Sequence, residues 1–485
     1  MGRAEELERR VPSRVRRLDL PEALVSPGFV DGHTHFAMWA EGRRRVHLKG
    51  TVTRAEAIQR VSTGSAEQGW IRGHGWDANR WAVAPDRWAL DAVTTLPAFL
   101  QSVDVHAAWV NSPALSHAGI DRNTPDPPGG QIVRDGSGEP TGLLLERAQE
   151  LVMGVLPAPH AGRLLEAVRD AQVEAHRLGI TGIHDVEGPD ALRAFHTLES
   201  RDELRLRVLF HPPVAQLPML MSQGARSGSG SAWLSLGGVK LFLDGTLGSR
   251  TAWMLEPYED GQDAGMALST EAEARRAVEA AAGAGIACTV HAIGDAAVRR
   301  ALDLLEGLSV VGVPHRIEHF QCVHPSDLAR AASARIVVSM QPAHLPGDIA
   351  LAEERWGNRA RYAYAMRSLL QAGTVLAFGS DVPVASLDPR QGIAAALDRK
   401  PSDGAFPGGW HPEERLPFET AVHGFTVGNA IAAGVSERRG KLAPGFDADL
   451  VAWQVDPAAE RGNGRAFAEA RVLLTVVGGE VVYAA

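Results

Sequence analysis

His33 and His35 stand two apart in Pro27-Gly28-Phe29-Val30-Asp31-Gly32-His33-Thr34-His35, behind a short apolar run. In an extended strand residues i and i+2 project from one face. The two imidazoles therefore leave the strand end together, close enough to share a metal ion. A His-x-His pair alone is equally well a pair of ordinary surface histidines. Three further residues shift that balance. His291 in Thr289-Val290-His291, His319 in Ile317-Glu318-His319 and Asp381 in Gly379-Ser380-Asp381 each close a separate apolar segment. Imidazole and carboxylate suit zinc and its neighbours, and hydrolytic sites of this kind keep a position open for water. Lys240 lies inside the apolar stretch Gly238-Val239-Lys240-Leu241-Phe242-Leu243-Asp244. A buried lysine is costly unless it is neutralised or paired. Either it forms a salt bridge to Asp244 or Glu318, or its neutral amine captures carbon dioxide and the carbamate bridges two cations.

The elements that must position these groups follow a repeating grammar of helix, short apolar strand and polar strand end. Ala161–Leu178 leads into Gly179–Asp185, Glu271–Ala284 into Gly285–His291, Asp327–Ala334 into Arg335–Gln341, and Tyr362–Ala372 into Thr374–Asp381. Alternating helices and unbroken apolar runs indicate parallel βα units with both sheet faces covered. Nine candidate strands emerge: Gly28–Asp31, Ala98–Asp104, Gly182–Val186, Val208–His211, Val239–Leu243, Ala287–His291, Arg316–His319, Ile336–Gln341 and Val375–Asp381. That is one more than a (β/α)8 barrel needs. Polar groups at the C-terminal strand ends are where such barrels keep their chemistry. About 36–97 reads as an insertion over the barrel mouth, rich in tryptophan (Trp70, Trp76, Trp81, Trp88). From residue 440 the chain changes to short hairpin material, with Gly478-Gly479 marking a tight turn.

At 485 residues the chain suits one large barrel with a satellite domain. Hydrophobic residues make up 45% and charged residues 22%, a globular balance. The net charge of -9 argues against a nucleic-acid surface. No stretch approaches the roughly 20 apolar residues of a membrane span. Met1–Arg17 has no apolar core of the signal-peptide kind. Cys288 and Cys322 cannot make a disulfide framework; they fit small apolar strand positions and a cytoplasmic setting. The expected partner is a small molecule, and a homo-oligomer is compatible with all of this.

Longer strings carry a resemblance. The Pro27–His35 motif, Val239-Lys240-Leu241-Phe242-Leu243-Asp244-Gly245-Thr246-Leu247-Gly248-Ser249-Arg250-Thr251-Ala252, His291-Ala292-Ile293-Gly294-Asp295, His315-Arg316-Ile317-Glu318-His319-Phe320-Gln321 and Ser339-Met340-Gln341-Pro342 follow one another over nearly the whole chain. They resemble the amidohydrolase superfamily, and within it the amidohydrolase 3 branch, which includes YtcJ-like proteins and N-substituted formamide deformylases. The resemblance implies a (β/α)8 barrel over 27–439 and a small β-sandwich from both chain ends, 1–26 and 440–485. It implies a binuclear site: His33 and His35 on one metal, His291 and His319 on the other, carboxylated Lys240 bridging, and Asp381 beside the water. Zinc is the first expectation, with Mn, Fe, Co or Ni as alternatives. Asp381 would act as general base and then acid in hydrolysis of a non-peptide C–N bond of amide type. The branch usually has a longer N-terminal β segment, so either the start is assigned too late or the sandwich is trimmed, and a trimmed sandwich would leave C-terminal strand edges unpaired.

Substrate contacts are sought beyond the ligands. His106, Arg316, His344 and Trp76 are the candidates, with Trp109, His184, Gln341 and Asp77 behind them. Arg316, three before His319, would face away from it unless the strand breaks. Asp295, four residues after His291, either orients a ligand from behind or caps the next helix, and the cap is the favoured reading. Two rival functions remain: a mononuclear deaminase of the same fold, against which Lys240 counts, and a regulatory barrel without catalysis, against which the full ligand set counts.

Overall fold

A computed structural model of the chain describes residues 19–20, 23–157, 161–308, 312–401, 404–455 and 465–485. The expected shortening of the N-terminal segment concerns residues that lie almost wholly outside these. Eight parallel strands organise the larger part: β1 (Phe29–Thr34), β2 (Ile180–Asp185), β3 (Arg207–Phe210), β4 (Gly238–Phe242), β5 (Ala287–Ala292), β6 (Arg316–His319), β7 (Val337–Met340) and β8 (Leu376–Phe378). One sheet pairs β1, β2, β3 and Leu234–Leu236, the run-in to β4; the other pairs β4 through β8 in order. Two seams tie them. Pro213 bridges Lys240 and Thr34 bridges Val382, both in parallel sense. Across the seams Lys240 N–H donates to Pro212 O at 2.8 Å and Asp381 N–H to His33 O at 2.7 Å. The second seam is tight for a reason in the sequence: a Cβ on Gly379 would come within 2.4 Å of the His33 nitrogen.

Eight of the nine expected strands thus lie in these two sheets, within a few residues of their expected ends. The ninth, Ala98–Asp104, is a correction. Ala98–Ser102 pairs with Trp70–Trp76 and Ala107–Val110 in a separate seven-stranded mixed sheet. That inserted sheet runs on to Pro140–Glu146, well past residue 97. Its strands alternate, sending Leu100 and Trp109 to one apolar cluster and Phe99, Ala108 and Val110 to another. An alternating strand feeds two faces of its own small sheet, whereas β1 to β8 are buried on both faces except at half-buried Val30 and exposed Phe242. The insertion's tryptophans are mostly its core: Trp70, Trp76 and Trp81 are buried, while Trp88 is exposed.

The expected tail hairpin is present. Ala23–Pro27, Leu450–Gln454, Arg471–Val477 and Glu480–Ala484 form one antiparallel sheet in that order. Gly478 and Gly479, at φ +60° and +85°, make its two-residue turn. The edge of Leu450–Gln454 expected to lie bare is paired by Ala23–Pro27. Trp453 locks this sheet to the strands and helices around β1. Its ring centre lies 5.2 Å from Phe29 and 4.8 Å from Phe467, and Nε1 donates to Ser26 Oγ at 2.9 Å. Both cysteines are free and buried, and burial pushes the Cys288 thiol up to about 12. Among the described residues no helix is long and apolar enough to cross a membrane. Trp453→Ala is expected to cost roughly 3–5 kcal/mol, the range for a buried large-to-small change. Urea unfolding measures it, and a loss under about 1 kcal/mol would show that the chain-end sheet is not docked through this residue.

Candidate metal centre

The C-terminal ends of β1, β4, β5 and β6 and the residues after β8 converge on one place. Donor atoms of His33, His35 and Asp381 all lie within 4.8 Å of one another. Asp381 Oδ1 is 3.3 Å from His35 Nε2 and 3.6 Å from His33 Nε2, buried and without a hydrogen bond. The His319 ring centre lies 5.1 Å from that of His33 and 4.4 Å from that of His291. Two of these residues reach the site by an unusual backbone: His319 has φ +68° and Asp381 φ +59°. Left-handed backbone at non-glycine residues is strained and gathers at functional sites. At His319 it has a visible purpose. Arg316 and Glu318 share a face of β6, and His319 would point away; the break at its own backbone turns its ring back to His33.

Below the cluster sits a fully buried network. Glu318 accepts from His33 Nδ1 at 2.5 Å and from Arg316 Nε. Arg316 also donates to Gly32 O at 2.5 Å and Ser339 Oγ at 2.9 Å, and its Nη1 lies 2.8 Å from His184 Nδ1. Arg316 therefore supports His33 through Glu318 and does not line the cavity; its placement among the substrate contacts is corrected. His184, buried against that guanidinium, has its pKa driven well below the ordinary histidine value by burial first and Arg316 second. His33, His291 and His319 are all pushed down as well, burial being the largest cause. Neutral imidazoles are the form in which histidine ligates. Asp381 is held well below the usual carboxylate value: burial opposes this, but His33, His35 and His319 together overcome it.

Lys240 is buried beside these groups, its Nζ 4.8 Å from the Phe242 ring centre. Burial pushes its ammonium down to about 8, against the pull of Glu318 and Asp381. Neither sequence candidate for pairing it is idle. Asp244 accepts backbone N–H bonds from Trp253, Ile293 and Gly294 at 2.8–3.3 Å. Glu318 is engaged by Arg316 and His33.

His291, His319 and Asp381 open onto a cavity of about 900 Å³ between the strand ends and the inserted sheet. His106, His344 and Trp76 line it, as does Asp77. His106 Nδ1 lies 2.7 Å from Glu146 Oε2. Burial lowers the His106 pKa, but Glu146, Asp104 and Asp381 outweigh it and raise the ring to about 9. His344 Nε2 is 3.1 Å from Ser380 O. Trp76 donates Nε1–H to Leu100 O, so it presents only its apolar ring. Trp109 belongs to the inserted core, and Gln341 is buried. Asp295 is corrected: it is the first residue of its helix, and its carboxylate accepts from Leu255 N–H rather than capping. Sequence reasoning missed Asp104, Glu146 and Asp348. The first two lie at strand ends of a sheet not anticipated past residue 97. Asp348 accepts from Gln321 and Tyr364 at the cavity wall and lies outside every motif.

Known proteins resemble this chain over its whole length. Residues 16–483 match the Amidohydrolase family. The chain is 31% identical to the putative amidohydrolase YtcJ of Bacillus subtilis, over 99% of this chain and 93% of that one. It is 27% identical to the N-substituted formamide deformylase of Arthrobacter pascens, over 96% and 89%. Among solved structures, a metal-dependent hydrolase of Pyrococcus horikoshii OT3 is similar with a TM-score of 0.73 and 29% identity, over 90% of this chain and 86% of that one. A match of this extent, on a fold whose strand ends gather these histidines, makes the chain a member of the amidohydrolase family, in its amidohydrolase 3 branch.

Proposed function

We propose that the protein is a metal-dependent hydrolase of a small molecule, cleaving a non-peptide C–N bond of amide type at the mouth of a closed (β/α)8 barrel with a small β-sandwich beside it. One observation carries the reading: the donors of His33, His35 and Asp381 lie within 4.8 Å of one another, and Asp381 Oδ1 faces them buried with no hydrogen bond. An orphaned buried carboxylate oxygen among imidazoles is expensive as it stands and suits a divalent cation. Glu318 adds to the fit, because an Nδ1–H donated to it leaves His33 Nε2 as the free lone pair.

His33, His35 and Asp381 would hold one cation. His291 and His319 would hold a second, with Lys240 as a carbamate shared between them. Zinc is the first choice. A bound cation of this kind acidifies water and polarises a carbonyl oxygen. Asp381 then has the proton work: its carboxylate takes a proton from the attacking water and returns it to the departing nitrogen. The Trp76 ring gives the substrate an apolar wall, while His106 and His344 offer polar contacts. The deformylase relative supports the amide-type bond. The compact three-donor group fits a single cation too, which keeps a mononuclear deaminase as the second reading.

Metal analysis separates these. Near two equivalents of divalent metal are expected, falling in Lys240→Ala; one equivalent that persists in Lys240→Ala would sink the bridged pair. Turnover should appear within a panel of N-acyl, N-formyl and cyclic amides offered to metal-reconstituted enzyme. Hydrolysis of esters or aminated heterocycles alone would overturn the amide reading. Glu318→Gln should weaken metal binding by roughly 10–100-fold, the usual cost of losing a ligand's hydrogen-bond partner. Competition with a chelator measures it on protein shown by circular dichroism to be folded. Unchanged affinity would mean that Glu318 does not set the His33 ring.

A further inference from the structure

The string Asp244-Gly245-Thr246-Leu247-Gly248-Ser249-Arg250-Thr251 follows β4 and supplies none of the proposed ligands. Its place in the structure gives it a task. Gly245 O lies 3.0 Å from His291 Nε2. A ring proton donated there fixes the imidazole plane and leaves Nδ1 as the lone pair. The carbonyl is itself held, because the loop is tied across its base. Gly245 N–H donates to Thr251 O at 3.1 Å, Thr251 N–H to Thr246 O at 2.9 Å, and Thr246 N–H to Thr251 Oγ1 at 3.0 Å. Gly245 has no room to move sideways: a Cβ there would sit 2.0 Å from both Glu146 Oε1 and Thr251 Oγ1.

Two carboxylates of the inserted sheet grip this loop from the far side of the cavity. Asp104 Oδ2 accepts from Thr246 Oγ1 at 2.6 Å and from Ser249 Oγ at 2.8 Å. Its other oxygen accepts from Ser102 Oγ at 2.5 Å and from the His106 N–H at 3.2 Å. Glu146 Oε1 accepts from the Thr251 hydroxyl. Both lie beside left-handed backbone, Val105 at φ +57° and Glu146 itself at φ +51°. Asp104 is half-buried at the cavity wall yet held below the ordinary aspartate value: desolvation opposes the charge, but His106 and the three hydroxyls outweigh it. It is an anion whose acceptor sites are filled by the loop and by its own hairpin. That suits a clamp, not a proton carrier.

We infer that Gly245–Thr251 is a positioning loop through which the inserted sheet, by Asp104 and Glu146, sets the orientation of His291 at the metal centre. The inference rests on the reading of His291 as a ligand. Asp104, Thr246, Ser249 and Glu146 are positioning residues: they act through Gly245 O and touch no reacting atom.

The test replaces the hydroxyls and leaves both carboxylates intact. In T246V/S249A the loop loses its hold on Asp104, whereas T246S keeps a hydroxyl for it. The protein is reconstituted with Co(II), and the visible spectrum and the affinity against a chelator are read beside His291→Ala. T246V/S249A should weaken Co(II) binding about tenfold, the low end of the range for groups that orient ligands, and shift the ligand-field bands. T246S should bind Co(II) with the parent affinity and spectrum. A spectrum and affinity in T246V/S249A within twofold of the parent, while His291→Ala loses Co(II), would overturn the clamp alone. If His291→Ala itself keeps Co(II) and its spectrum, the ligand reading falls and the clamp falls with it.

Discussion

Arg316 and Glu318 meet beneath the strand ends with no access to water, and the placement of the histidines above depends on that pair. Burying two charges costs several kcal/mol per ion unless geometry and further hydrogen bonds repay it. Here the repayment is spread over the strands. Arg316 reaches Gly32 O before β1 ends, His184 on β2 and Ser339 on β7; Glu318 reaches His33 on β1. Each bond that satisfies the pair also fixes a neighbour of the site. His33 receives its tautomer from Glu318. Gly32 is pinned from the opposite side as well, since a Cβ there would meet Asn429 Oδ1 at 2.3 Å. Removing the charge from either partner would leave the other buried and alone, so the network is held as a unit.

The same economy governs the strand ends above. A regular strand delivers side chains alternately, and a site that needs neighbours on one face must either skip a residue or break the strand. His33 and His35 use the first route. His319 and Asp381 use the second, with left-handed backbones costing of order 1–3 kcal/mol each. The seams make such strain tolerable. Asp381 N–H is bonded to His33 O, so the strained residue is tied directly to the strand that carries its partners.

Legibility in the sequence follows from how local each feature is. The runs of β1 to β8 are apolar because both faces are covered, and that is visible residue by residue. His33, His35, His291, His319 and Asp381 each end such a run, so their convergence could be argued from position alone. Arg316 was misread because its role depends on what lies beneath the strand ends, and only the parity of Arg316 with Glu318 hinted at a shared inward face. The inserted sheet was harder. Ala98–Ser102 is apolar enough to pass for a ninth strand of the main set, and its neighbours along the chain lack the helix-to-strand rhythm that would have separated them. Asp104 closes the Ala98–Asp104 run and Glu146 stands in no pattern, and the partners that give both their place, Thr246, Ser249 and Thr251, lie more than 100 positions away.

That distance bears on how the cavity is built. Its floor is the set of strand ends, and its far wall is the inserted sheet with Trp76 and His106. Two distinct apolar clusters could drift relative to each other if only side chains met across the space between them. The Gly245–Thr251 loop removes that freedom, because it follows β4 directly yet hangs its hydroxyls on carboxylates of the other sheet. Arg355 adds a second tie, donating to Gly248 O at 3.1 Å and to Asn79 Oδ1 at 2.7 Å. The cavity wall is thereby referenced to the same loop whose Gly245 O meets His291. A sheet inserted over such a mouth keeps its registration with the histidines at the strand ends through these few polar ties.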